Sequence, residues 1–101
     1  LLAARDAAGE VTRIERGLSV GLERAASLTS VADVRVLGAV GVIQLREPVR
    51  VVAVTAAALD RGVWVRPFRD LVYTMPPYVT SQDDLATLTA GLVGAVEAVH
   101  G

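Results

Sequence analysis

Apolar residues recur at spacings of three and four from the start of the chain: Ala7, Val11, Ile14, Leu18, Leu22 and Ala25. Glu10, Arg13, Glu23 and Arg24 fall mostly between them. That rhythm marks one face of an α-helix, predicted over residues 7–28 with Asp6 as its N-cap. Gly17 and Gly21 lie inside it. Each weakens a helix by roughly 1 kcal/mol relative to alanine, and their small size predicts close packing against a neighbour.

The rhythm then changes. Val34 and Val36 alternate with polar neighbours, and residues 39–45 are apolar almost throughout, as in a strand covered on both faces. Two strands are predicted within residues 34–45, joined by a tight turn near Leu37 and Gly38, where glycine allows a positive φ. Pro48 opens the next segment. Its valines favour strand, but Ala56, Ala57, Ala58 and Leu59 favour helix and Gly62 reads as a stop, so a helix is predicted over residues 51–61. Residues 63–65 read as a short strand ended by Pro67, and residues 71–74 as another ended by Pro76 and Pro77. Ser81 with Asp84 three positions on forms a capping box with Asp in place of Glu. Leu85, Leu88, Leu92, Val93, Val96 and Val99 then give one apolar helical face to about residue 99.

The order helix, two strands, helix, two strands, helix predicts an α+β fold, an antiparallel sheet with packed helices, in a single domain over residues 1–101. Trp64 and Phe68 are expected to be substantially buried in it.

Composition narrows the functions available. Of 101 residues, 52% are hydrophobic, enough for a real core, and the formal net charge of −1 leaves no concentrated basic patch. With only 4% aromatic residues as well, nucleic acid is not an expected partner. Cysteine is absent, which removes disulfides, thiolate metal sites and a cysteine nucleophile. No apolar run approaches the roughly 20 residues of a membrane span, so no membrane partner is expected. The opening Leu1-Leu2-Ala3-Ala4 reads like the last turn of a helix cut from its start, and the chain is expected to be a fragment. All ten basic residues other than His100 are arginine. Without lysine, no side chain here can form a Schiff base with a carbonyl compound.

Few residues invite chemistry. His100, the only histidine, stands next to the last residue and reads as a solvated tail residue. Asp83 and Asp84 read as helix-capping carboxylates, since adjacent helical residues diverge by about 100° and no third metal ligand is evident. Gly38-Ala39-Val40-Gly41 is too short for a dinucleotide fingerprint. Arg66 is different. It lies at a strand end between Trp64 and Pro67-Phe68, a stiff setting, and a guanidinium grips a carboxylate with two parallel hydrogen bonds. Tyr73 on the next strand is expected near it, either as a substrate neighbour or as a core aromatic with a wet hydroxyl.

Gly62-Val63-Trp64-Val65-Arg66-Pro67-Phe68, followed by Leu71-Val72-Tyr73 and Met75-Pro76-Pro77-Tyr78, resembles the C-terminal signature of the adenosylmethionine–8-amino-7-oxononanoate aminotransferases of biotin synthesis. Residues 31–43 are similar to the segment that precedes it in that family, and the resemblance covers roughly residues 31–99. It implies the C-terminal small domain of a class III, fold-type I pyridoxal-phosphate aminotransferase, homodimeric and cytoplasmic. The small-molecule substrates implied are S-adenosylmethionine and 8-amino-7-oxononanoate. Arg66 matches the family arginine that binds the substrate carboxylate, and Tyr73 a tyrosine close to the substrate pocket. The groups that bind the cofactor and perform catalysis lie upstream in the family and have no counterpart here; nor is there a metal site. Gln44 and Leu45 depart from the family, where many relatives carry an acidic residue, and residues 51–54 are more β-branched than the family helix. The other readings left open are a related class III aminotransferase and a free-standing ferredoxin-like binding or regulatory module.

Overall fold

In the computed structural model, residues 7–77 and 80–101 are described. The proposed cap Asp6, and Tyr78 of the Met-Pro-Pro-Tyr block, lie outside them. Helix α1 runs Ala7–Leu22 and tightens into a 3₁₀ turn at Glu23–Ser27. The predicted helix is therefore present, with its last part overwound. Ile14, Leu18 and Leu22 are fully buried along one stripe, as their four-residue spacing requires.

Strands β1 (Val31–Leu37) and β2 (Val40–Leu45) form a hairpin whose turn is Gly38-Ala39. Gly38 adopts φ +60° there, and its N–H donates to Glu15 Oε2 of α1 at 3.1 Å. Helix α2 spans Val51–Asp60. Gly62, at φ +73°, donates to the Leu59 carbonyl, and the Val63 N–H donates to that of Ala58. These bonds close the end of α2 and turn the chain toward the sheet. Strands β3 (Arg66–Phe68) and β4 (Leu71–Thr74) follow, then α3 (Gln82–His100). Ser81 caps α3 as predicted, its hydroxyl accepting from the Asp84 N–H at 3.1 Å.

The four strands lie in the order β1-β2-β4-β3, antiparallel throughout. Alternation splits the sheet into two faces. Gly41, Ile43, Leu45, Val72 and Thr74 point toward the helices, and Ile43, Leu45 and Val72 join α2 and α3 side chains in one core. The helices α1 and α3 touch through their small residues. A β-carbon on Gly21 would come within 2.1 Å of Thr89 Oγ1, and one on Gly17 within 2.8 Å of Leu85 Cδ1. The close approach expected of those glycines is what the structure shows.

Four expectations need correcting. Residues 63–65 are not a strand. Val63 and Val65 are buried and Trp64 points out, so they alternate, but the ladder begins only at Arg66, where β4 offers a partner. Pro67 consequently lies inside β3 rather than ending it. An edge strand has one side without a ladder, and proline is tolerated there. Trp64 and Phe68 are exposed, at 68% and 56% of their surface. Phe68 lies on the sheet face turned away from the helices, which no described element covers. For the same reason β2 has a helix layer on one face only. Its other face keeps Val42 buried through neighbours in the sheet, with Arg35 and Tyr73 as its register partners.

His100 is the fourth. Its side chain is fully buried rather than solvated, with Nδ1 3.4 Å from Glu47 Oε1. Its Nε2 accepts from the N–H of Arg50, the residue that opens α2, at 3.2 Å. The ring therefore caps one helix from the end of another.

Candidate functional site

Arg66 is the first residue of β3, and Tyr73 is its register partner on β4. Directly opposed residues point to the same face of a sheet, with β-carbons about 5 Å apart. The sequence placed the two residues on successive strands; the antiparallel register brings them side by side on the helix-free face. Phe68 and Leu71 form the next outward pair toward the turn.

The Arg66 side chain is exposed and has no hydrogen-bond or salt-bridge partner among the described residues. Tyr73 is half-buried between Arg66 and Val42. An open groove of about 450 Å³ is lined by Arg66, Trp64, Thr74 and Met75 and, from α3, by Asp84 and Leu88. Trp64 and Met75 present exposed apolar surface there, 68% and 54% of each residue. The arrangement is a free guanidinium in the lining of a groove that also carries the apolar surfaces of Trp64, Met75 and Leu88. It suits a molecule with a carboxylate at one end and a hydrocarbon body. Tyr73 lies beside Arg66 but does not line this groove.

Of the remaining residues, Asp84 also lines the groove and the others fall elsewhere. Asp83 and Asp84 lie in the first turn of α3, where their charge complements the helix dipole, and the Asp84 N–H is occupied by Ser81. No group of three or more potential metal ligands occurs among the described residues. His100 is far along the chain's other end and serves the α2 cap. The cofactor that the family resemblance implies does not fit this chain's residues: the covalent link needs a lysine amine, and the sequence has none.

One polar cluster escaped the sequence. On the helix-free face, Gln44 Nε2 donates to Asp70 Oδ2 at 3.1 Å, and Gln44 Oε1 accepts from Arg35 Nη1 at 2.8 Å. Arg35 also pairs with Asp33 at 2.8 Å. The signal was faint: three of these residues occupy outward positions of β1 and β2, but their meeting with Asp70 depends on how the β3–β4 hairpin docks.

The chain is similar to known proteins over most of its length. The family model for class-III aminotransferases matches residues 1–96. The adenosylmethionine-8-amino-7-oxononanoate aminotransferase of Mycobacterium leprae is 47% identical over 93 residues, 92% of this chain and 21% of that protein. The protein of the same name from Corynebacterium glutamicum is 50% identical over 88 residues, 87% of this chain and 21% of that protein. The chain thus spans about a fifth of the length of these curated relatives. Among solved structures, an (S)-enantioselective omega-transaminase from Thermomicrobium roseum superimposes with a TM-score of 0.80 at 21% identity, covering 91% of this chain and 23% of the other. At that identity the likeness speaks for the fold.

Proposed function

Starting from the fact that this chain belongs to the class-III aminotransferases, we propose that it acts as the C-terminal small domain of an enzyme of biotin synthesis. That enzyme transfers the amino group of S-adenosylmethionine to 8-amino-7-oxononanoate and gives 7,8-diaminononanoate. In it, Arg66 receives the carboxylate of the oxononanoate, and Tyr73 stands beside Arg66 on the next strand. The whole enzyme is a cytoplasmic homodimer using pyridoxal phosphate, held by residues outside this chain. Family membership favours this reading over a ferredoxin-like binding module, and the names of the relatives favour this substrate pair over that of another class III aminotransferase.

The observation that carries this reading is the unpaired Arg66 guanidinium lining a partly apolar groove. Transamination is performed by the cofactor, while protein groups position the substrate. A carboxylate grip at the end of the substrate remote from the reacting carbon turns binding energy into orientation. The planar fork of arginine fixes direction as well as charge. No described helix is long and apolar enough to cross a membrane.

The test uses the full-length enzyme that carries this domain. Arg66→Ala is expected to weaken use of the oxononanoate by about 30- to 1000-fold, the worth of a charged hydrogen-bond partner at about 2–4 kcal/mol. Cofactor content and fold should stay unchanged. Arg66→Lys should restore part of the loss, since an ammonium keeps the charge without the two-pronged geometry. A substrate analogue lacking the carboxylate should be used almost equally by both enzymes. An equal loss on acid and analogue would make Arg66 structural, and no loss on either would make it a plain surface residue.

A further inference from the structure

Strand β3 is only three residues long and lies at the sheet edge, with a ladder partner on one side. Arg66 therefore inherits its position from the β3–β4 hairpin as a body. The hairpin turn is Arg69-Asp70, and Arg69 sits at φ +58°, a conformation that L-residues adopt at a cost. Two backbone bonds hold this turn from outside. The Leu45 N–H donates to the Asp70 carbonyl and the Val49 N–H to the Arg69 carbonyl, both at 2.7 Å. The Gln44 amide adds the side-chain bond to Asp70 described above, and its other end is fixed by Arg35, itself fixed by Asp33.

An amide suits this link as built. It must accept from a guanidinium on one side and donate to a carboxylate on the other. A carboxylate at the same place would still satisfy Arg35 but would face Asp70 with like charge. An aliphatic side chain would satisfy neither. From Asp70 the chain climbs three register pairs to Arg66, so the turn lies about 10 Å from the Arg66 pair at about 3.4 Å per residue. A shift at the turn passes directly into the direction of the guanidinium.

We propose that Gln44 is a positioning residue for the substrate-carboxylate site: its amide pins the β3–β4 turn to β1 and β2 and so fixes where Arg66 points. This rests on the reading of Arg66 as the carboxylate grip. Gln44 touches no substrate and acts through the hairpin alone.

The experiment measures KM and kcat in the full-length holoenzyme, for the oxononanoate and for an analogue without the carboxylate. Melting temperature and cofactor content are followed alongside. Gln44→Glu is expected to raise KM for the acid about tenfold, as for one lost hydrogen bond replaced by repulsion. Neither kcat nor the KM of the analogue should change appreciably. The double variant Gln44→Glu with Asp70→Asn reverses the polarity of the bond, since the asparagine amide then donates to the new carboxylate, and KM should return to near the wild-type value. If Gln44→Glu does not fold, Asp70→Ala removes the acceptor while sparing the backbone bonds and should show the same selective rise.

Equal effects on acid and analogue, no effect on either, or absence of rescue in the double variant would overturn the proposal. Arg66→Ala run in parallel separates the two failures. If it does not discriminate acid from analogue, the carboxylate reading itself falls. If it does and the Gln44 variants do not, only the positioning role falls.

Discussion

Replacing Gly21 with alanine sets two effects of opposite sign against each other. In an isolated helix, the substitution would stabilise α1 by about 1 kcal/mol. In this fold, the new β-carbon would lie 2.1 Å from Thr89 Oγ1, 2.4 Å from Thr89 Cβ and 2.6 Å from Thr89 Cγ2. Comfortable carbon contacts are near 3.5–4.0 Å. Rotation of the threonine moves Oγ1 and Cγ2 but leaves Cβ where it is, and the hydroxyl is already committed to the carbonyls of Leu85 and Ala86. The backbones of α1 and α3 must therefore separate. That opens the cluster of Ile14, Leu18 and Leu85, each at most 1% exposed. Overpacking of this kind costs about 1–3 kcal/mol, and here the immovable Cβ puts it at the upper end.

The net expectation for Gly21→Ala is a loss of about 1–2 kcal/mol after the propensity gain is subtracted. Gly17→Ala is the internal control. Its β-carbon meets Leu85 Cδ1 at 2.8 Å, the far end of a flexible side chain, with the next contacts at 3.8 Å. That neighbour can yield, so the variant should be within about 0.5 kcal/mol of wild type or slightly more stable. Urea and thermal denaturation of the 101-residue chain, followed by circular dichroism, read both. A loss of 1 kcal/mol lowers the midpoint of a domain this size by about 4–8 °C. If Gly21→Ala proves as stable as Gly17→Ala, the two helices do not meet as described.

Other outcomes follow from the same structure. Trp64→Ala and Phe68→Ala should each change the stability of the 101-residue chain by less than about 0.5 kcal/mol, because both rings are mostly exposed; a loss above about 2 kcal/mol in denaturant melts would mean that they are buried after all. Ser81→Ala should cost about 1 kcal/mol in the same melts, the usual worth of an N-cap, and Ser81→Asp should recover most of it. Borohydride treatment of the chain incubated with pyridoxal phosphate, with its N-terminus blocked, should leave no side-chain adduct, because no lysine amine is present. A stoichiometric adduct in the intact mass would refute that.

Local order was the legible part of the sequence. The stripe of Ile14, Leu18 and Leu22, the stop at Gly62, the Ser81 cap and the strand Leu71–Thr74 all follow from neighbours within a few residues, and all are present. What failed depended on distant partners. The alternation of Val63, Trp64 and Val65 is real, but a strand needs a ladder, and β4 reaches only Arg66. Trp64 and Phe68 are hydrophobic enough to predict burial, yet hydrophobicity does not say which face is covered. His100 looked like a frayed end because only its place in the sequence was considered. The bonds that bury it come from Glu47 and Arg50, some fifty residues away. Arg66 was legible through its stiff flanks, whereas the Gln44–Asp70 bond needed the docked hairpin.

The exposed aromatics and the candidate site bear on one another. A guanidinium in open water gains little from a carboxylate, about 0–1 kcal/mol, because solvent screens the pair. The grip proposed for Arg66 is several times stronger and requires water to be excluded around it. The 101-residue chain does not exclude it: Arg66, Phe68 and Trp64 all stand open. On the proposed reading, the remainder of the enzyme supplies the missing wall. Covering Trp64 and Phe68 would bury apolar surface and strengthen the neighbouring charge pair in the same step. Exposure of two large aromatic rings beside an unpaired arginine, costly for a self-sufficient domain, is then the form expected of one half of a site. The placement of Gln44 on the same face fits this, since the wall that closes over the substrate would meet a hairpin whose angle had already been set.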